Sequence, residues 1–187
     1  MSSASSWKNP TLPRAPFCCP ETPYDKARAR IWIHFVTSRF IPTFHRFLQF
    51  QPDAGSSKTE SDSALANVRA EFLAIMREFA AEKAGDGPWF FGKDLSLVDL
   101  ALAPWVMRLW VFDKFKGGLG IPDEGEGGEH EETWKRWRVW SRAVSGRRSL
   151  KETMSEERHY LPIYKRYADN TAQSELAKAT RAGRGVP

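Results

Sequence analysis

The segment Gly87-Pro88-Trp89-Phe90-Phe91-Gly92-Lys93-Asp94-Leu95-Ser96-Leu97-Val98-Asp99 constrains this chain more than any other. It reads as a tight aromatic turn that runs straight into a fully specified helix start. Ser96 stands at the N-cap, and Asp99, three residues on, can return a bond to the Ser96 amide. Leu95 and Leu100 occupy the positions a hydrophobic staple needs, and an acid in the first turn favours the positive end of the helix dipole. Losing a cap of this kind costs about 1 kcal/mol. Ser96 and Asp99 are therefore expected to be structural and not catalytic.

Helical periodicity dominates the rest. A first helix is expected over Tyr24 to Phe50, with apolar positions at Ala27, Ile31, Phe35 and at Trp32, Val36, Phe40. That arc is wider than a surface helix requires, and Pro42 should bend it. A polar loop, Pro52 to Lys58, leads to a second helix over Ser61 to Lys83, with Leu65, Val68, Phe72, Ile75, Met76 and Phe79 at helical spacing. The third, Leu97 to Phe115, should kink at Pro104. A Gly-rich acidic loop over residues 117–130 has only Leu119 and Ile121 as apolar anchors. A fourth helix is expected over Glu132 to Val144, broken by Gly146. Ser149 and Glu152 have the spacing of a second capping box opening a short helix. The last helices should span Glu156 to Asp169 and Thr171 to Ala182. The fold class is thus all-α, a bundle of six or seven helices in residues 23–187. Residues 1–22, with four Pro and several Ser, read as a flexible arm.

Composition agrees with one helical domain. A chain of 187 residues can bury a real core, and its eight Trp and twelve Phe are bulky material for one. No stretch approaches the ~18 uninterrupted apolar residues a membrane helix needs. Met1 to Ser6 has neither the basic nor the apolar region of a secretory signal, and two cysteines suit a reducing compartment, so a cytoplasmic location is expected. Charge is uneven. The net is +5 over residues 1–50, −8 over 51–134 and +8 over 135–187, so the C-terminal third can attract anions.

Trp134-Lys135-Arg136-Trp137-Arg138-Val139-Trp140 is the one hint of nucleic-acid binding, since aromatics between cations can stack bases. Trp134, Trp137 and Trp140 nevertheless share one side of a helix, so an amphipathic core helix accounts for them better. His34, His45, His130 and His159 show no metal-ligand spacing. His34 and His45 are about 16 Å apart on one helix, and no metal site is expected. Gly117-Gly118-Leu119-Gly120 follows a helix and opens no new one, which is not a phosphate loop.

The aromatic turn and its capping box resemble the start of the central helix in the C-terminal, all-helical domain of cytosolic glutathione transferases. Pro104-Trp105-Val106-Met107-Arg108-Leu109 resembles the Pro-Trp-x-x-Arg-Leu run of the omega class, especially its fungal relatives. Ala27-Arg28-Ala29-Arg30-Ile31-Trp32 resembles the opening of that domain's first helix. Tyr164-Lys165-Arg166-Tyr167 and Ser174-Glu175-Leu176-Ala177-Lys178 resemble its C-terminal helices. The likeness covers about residues 22–187.

In that family a thioredoxin-like domain of about 80 residues precedes the helical one, holds glutathione and carries the catalytic residue. Some 22 residues precede the first helix here, so the expectation is a helical half lacking its glutathione-binding partner. The pair Cys18-Cys19 lies just before the helical domain, where the family's catalytic cysteine does not sit, so no catalytic residue is assigned. The resemblance implies glutathione as cosubstrate of the complete enzyme, bound weakly if at all by this chain. It also implies that the helical domain supplies one wall for a hydrophobic or electrophilic small molecule. Trp105, Arg108, His159 and Tyr160 are the first candidates for that wall, with Phe35 and Arg39 behind them. The activity implied is glutathione conjugation, or glutathione-dependent thiol transfer and reduction, weak or absent in this chain alone. The alternative is a non-catalytic protein-interaction module on the same scaffold. A thioredoxin-like domain or other protein is the partner implied, and homodimerisation stays open.

Overall fold

The computed structural model describes residues 22–184. The expected arm, residues 1–21 of it, lies outside the described residues together with Cys18 and Cys19. Every regular element among the described residues is helical, as the periodicity predicts.

Helix α1, Pro23–Phe35, starts on Thr22, whose hydroxyl accepts the Asp25 amide at 3.0 Å. The rod does not end at Phe35. It widens into a π-helical turn, Val36–Phe40, then continues as α2, Ile41–Gln49. The turn sits just before Pro42, which has no N–H to donate, and the Ile41 amide reaches back to the Val36 carbonyl. The expected bend at Pro42 is thus a widened turn one step upstream. α1 and α2 bury very different surfaces. In α2 Thr43, Phe44, His45, Phe47, Leu48 and Gln49 are all buried, because α3, α5, α8 and α9 surround it. In α1 the expected apolar stripe is half wrong. Ile31 is 63% exposed and Ala27 is exposed as well, while Phe35 and Val36 enter the core.

Helix α3 spans Lys58–Glu82 and begins earlier than expected. Ser57 and Glu60 form a complete capping box, with the Ser57 amide donating to Glu60 Oε2 at 2.8 Å. α4, Leu97–Val106, starts on the box foreseen at Ser96 and Asp99. Between α4 and α5, Trp110–Lys116, the single expected helix is interrupted. The Arg108 and Leu109 amides bond three residues back, to Trp105 and Val106, instead of four. Pro104 removes one rung before this point, and the ladder tightens over the next turn. α5 ends at Gly117, in the left-handed region at φ 69°.

Helix α6, Glu131–Gly146, follows one 3₁₀ turn, Gly128–His130, and ends on Gly146 as expected. α7, Arg148–Lys151, is one turn long. Its capping box does not form: Ser149 lies inside the helix, Arg147 is the cap residue, and Glu152 pairs with Arg148 at 2.7 Å. α8, Glu157–Ala168, and α9, Glu175–Arg181, close the fold, the latter capped by Ser174 and shorter than expected. Continuous rods counted once, with α4 and α5 as one interrupted rod, the described residues hold seven helices.

Two aromatic clusters hold the bundle. Phe44, Phe47, Phe72 and Phe112 join α2, α3 and α5, with Phe47 and Phe112 stacked at 4.7 Å. Phe79, Phe90, Trp137 and Trp140 join α3, the aromatic turn and α6. All three tryptophans of α6 are buried. A buried indole offers no face to a base, so the stacking reading of this helix is excluded. Loops are tied by polar bonds instead. Arg69 donates to the Lys116 and Gly118 carbonyls, and Glu131 accepts the Gly125 and Gly127 amides of the acidic loop.

The aromatic turn depends on one close approach. Trp89 and Gly92 exchange two backbone bonds, at 2.9 and 3.1 Å, and Gly87 packs beneath them. A Cβ on Gly87 would stand 2.2 Å from the Gly92 carbonyl oxygen, which is backbone and cannot swing away. Gly87→Ala is expected to cost roughly 2 kcal/mol or more in urea unfolding. An unchanged midpoint would show that the turn can open without penalty.

Candidate functional site

Three helices converge beside the interrupted rod. The tightened turn at residues 105–109 nearly eclipses positions three apart, so Trp105 and Arg108 come to one side. The Arg108 guanidinium carbon lies 5.9 Å from the Trp105 ring centre and 4.8 Å from that of Tyr160, on α8. A weak bond of 3.4 Å links Arg108 to the Tyr160 hydroxyl. α8 contributes Ile163, Tyr164 and Tyr167 as well, α9 contributes Leu176, and α2 supplies His45 from below. Together they line a cavity of about 270 Å³, mostly apolar in surface, with Arg108 as its one fixed cation.

The expected residues divide cleanly. Trp105, Arg108 and Tyr160 meet in this cavity. His159 is exposed and lies outside the lining. Phe35 is buried at the end of α1, under the Arg39 guanidinium at 4.9 Å. Arg39 itself pairs with Glu78 and lines a separate cleft of about 300 Å³ between α2 and α3. The lining also takes His45, Ile163, Tyr164, Tyr167 and Leu176, which the sequence alone does not mark for the site. Tyr164, Tyr167 and Leu176 stand in the two runs that resemble the family's C-terminal helices. His45 carried no signal of its own, since its role comes from the burial of α2.

The electrostatics are specific. Burial pushes the Tyr160 hydroxyl up, but bonds from the Ser155 amide and Arg108 outweigh it and leave the group below its usual value. Tyr164 moves the other way, raised by burial against the opposing charge of Arg108. His45 is only 3% exposed, and loss of solvation lowers its pKa from 6.5 to about 4. Its imidazole is therefore neutral near pH 7. Among the described residues both of its ring nitrogens, and Arg108 Nε, lack a hydrogen-bond partner. The hydroxyl of Tyr167 is already engaged, 2.7 Å from Ser174 Oγ. Such a set can hold a flat apolar ring and bind a negative group at one edge. Among the described residues no group of three or more His, Cys, Asp or Glu is placed to hold a metal ion. No helix there is long and apolar enough to cross a membrane.

Residues 62–143 match the family model "Glutathione S-transferase, C-terminal domain". Among curated proteins, the chain is 30% identical over 103 residues to glutathione S-transferase U16 of Arabidopsis thaliana, covering 54% of this chain and 41% of that one. Among solved structures, glutathione transferase Omega 3C from Trametes versicolor superposes with a TM-score of 0.63 and 31% identity, over 86% of this chain and 60% of that one. A tau-class glutathione S-transferase from mango, Mangifera indica, shares the fold with a TM-score of 0.55 at 21% identity, over 80% and 62% of the two chains. The chain spans about two fifths of the length of the curated relatives it matches. Residues 22–184 therefore carry the fold of a glutathione S-transferase C-terminal domain.

Proposed function

We propose that this chain supplies the hydrophobic-substrate wall of an omega-like glutathione transferase and that the substrate lies in the Trp105 cavity. The observation that carries this reading is the placement of Arg108 between Trp105 and Tyr160. Two ring faces hold an aromatic body while the guanidinium fork meets a carboxylate or other anionic group. The Pro-Trp-x-x-Arg-Leu run and the likeness to the Trametes omega structure support the omega assignment over tau. Glutathione is the cosubstrate, gripped and activated by a thioredoxin-like fold outside the described residues. The helical part alone is weak or inactive in thiol conjugation, because activation of the thiol is not among its tasks. The protein works in the cytoplasm.

A second reading, a protein-interaction module, draws on α1. Tyr24, Ala27 and Ile31 form an exposed stripe on that helix, and exposed apolar stripes invite a partner. Turnover of a thiol-conjugation substrate by the chain together with a thioredoxin-like domain separates the two readings. His159, Phe35 and Arg39 belong to the proposed wall only if the substrate extends past the cavity rim.

Calorimetric titration tests the wall. The chain is expected to bind 2-naphthoate, and Arg108→Met to weaken that binding about tenfold or more, as loss of a charge-assisted bond does. Binding of neutral 2-naphthol should be unchanged by the same substitution. Equal affinity of both proteins for the acid would overturn the assignment, and so would tight binding of glutathione to this chain by itself.

A further inference from the structure

We infer that Tyr164 is a specificity-determining residue, forming with Arg108 a two-donor clamp for the carboxylate of an aromatic acid. This clamp rests on the wall reading above and deepens it by naming the ligand's anionic group and the side chain that takes its second oxygen. Helix α8 presents three tyrosines to the cavity, and two of their hydroxyls are committed. Tyr160 accepts from the Ser155 amide and, weakly, from Arg108, while Tyr167 pairs with Ser174. The hydroxyl of Tyr164 makes no hydrogen bond to another described residue, and unlike the His45 ring nitrogens it is not sealed off. Only 6% of Tyr164 is exposed, so the opening that remains is the one into the cavity it lines. Polar groups buried to this degree are nearly always paired, and one left open at a cavity wall points to what the cavity receives.

Arg108 is open at one end only. Its Nε is sealed and Nη2 leans on Tyr160 at 3.4 Å, which leaves Nη1 for a ligand. A guanidinium closed along its Nε edge cannot grip a carboxylate side-on by itself, so a second donor has to stand next to it. Tyr164 is in that place. Its ring centre is 6.1 Å from that of Tyr160, over which the guanidinium carbon sits at 4.8 Å. Burial raises the pKa of the Tyr164 phenol, and the charge and N–H groups of Arg108 oppose that rise, as they do only at close range. Burial wins, so at neutral pH the phenol keeps its proton and donates. A carboxylate lying between the two heads accepts one bond from each while its ring rests on Trp105. A neutral hydrophobic electrophile would leave the cation without a counter-charge.

Calorimetry on the full chain with 2-naphthoate and 2-naphthol tests the clamp. Tyr164→Phe keeps the ring and should weaken 2-naphthoate about tenfold or more, the worth of a hydrogen bond to a charged group. The same change should weaken 2-naphthol less than about threefold, as a neutral bond at most is lost. A merely structural role would weaken both probes alike and would overturn the clamp. Because the two donors share one carboxylate, Tyr164→Phe placed in Arg108→Met should cost 2-naphthoate clearly less than it does in the unmodified chain. Full additivity would put the donors on separate groups and refute the pairing. If Arg108→Met weakens 2-naphthoate and Tyr164→Phe does not, the clamp is refuted and the wall stands. If only Tyr164→Phe weakens it, or the acid fails to bind, the charged wall is refuted and the clamp falls with it. Should Tyr164→Phe fail to fold, carbon-13 spectra of the unmodified chain labelled at tyrosine Cζ decide. With four tyrosines in the chain, the Tyr164 signal can be followed singly. It should shift with 2-naphthoate and less with 2-naphthol, and an unmoved signal refutes the clamp.

Discussion

Asp99→Ala is expected to lower the unfolding free energy by about 3–5 kcal/mol, the range seen when one partner of a buried charged network is removed. The ordinary worth of a helix cap is about 1 kcal/mol, so the excess must come from elsewhere. Asp99 is fully buried, and each carboxylate oxygen accepts two bonds. Oδ1 takes the Phe90 amide at 2.9 Å and the Trp140 indole N–H at 2.7 Å. Oδ2 takes the Ser96 amide at 2.8 Å and the Ser96 hydroxyl at 2.6 Å. The side chain thus caps α4, fixes the aromatic turn and anchors α6. Lys83 is buried nearby, held by the Ala84 and Gly87 carbonyls. Burial lowers its pKa, and the charge of Asp99 is what opposes that most. Alanine leaves the donors without acceptors and Lys83 without its counter-charge.

Urea unfolding followed by tryptophan fluorescence measures the effect, with a melting temperature lower by roughly 10 °C. Asp99→Asn should recover only part of the loss. Its amide oxygen can replace Oδ1, but the NH₂ group would confront the Ser96 amide N–H at Oδ2, where only the Ser96 hydroxyl can turn to accept. A loss near 1 kcal/mol for Asp99→Ala would mean that the residue is a cap and no more.

Acid should destabilise this protein through His45 by about 3 kcal/mol between pH 6.5 and pH 4, following the proton-linkage relation. In the unfolded chain the imidazole takes a proton near pH 6.5, whereas burial in the fold delays that to about pH 4. Within this window the unfolded state holds the extra proton, so lowering the pH favours unfolding. Below the folded pKa both states are protonated and the loss levels off. The neighbours reinforce the direction. Arg108, Tyr164 and Tyr167 share the cavity with His45, and none carries a negative charge at these pH values. Glu60, Glu131 and Glu175 also have their pKa values lowered by hydrogen bonds, and their contribution, common to both proteins, cancels in the comparison with His45→Phe. Unfolding free energies at pH 4 to 7 for the unmodified chain and His45→Phe isolate the term. The variant should show a flatter profile through the window, and parallel profiles would place the ring in contact with water.

The aromatic turn shows how far local chemistry alone can be read. Ser96 and Asp99 cap α4 through near neighbours, so that cap is legible in residue order, whereas the bond from Asp99 to Trp140, 41 residues on, is not. Residue order also marks the tryptophans of α6, whose spacing of three declared a buried face. Local rules failed where the helices' surroundings decided. Pro104 marked a disturbance, but the place where the ladder tightened, and therefore the pairing of Trp105 with Arg108, depends on the helices packed around it. The Ser149 and Glu152 spacing suited a cap, yet a single turn starting at Arg148 took the residues for itself.

Helix α2 marks the boundary most clearly. The order of residues determined that Thr43 to Gln49 would be helical, with phenylalanines on its inner side. It could not determine that four other helices would enclose the remaining sides and take His45 and Gln49 in with them. A helix's pattern records which side chains prefer to leave water, whereas burial depends on how many neighbours arrive. The helical class and the Ser96–Asp99 cap were therefore written in the chain itself. The cavity, its single cation and its neutral imidazole exist only because α2, the rod of α4 and α5, α8 and α9 meet in three dimensions.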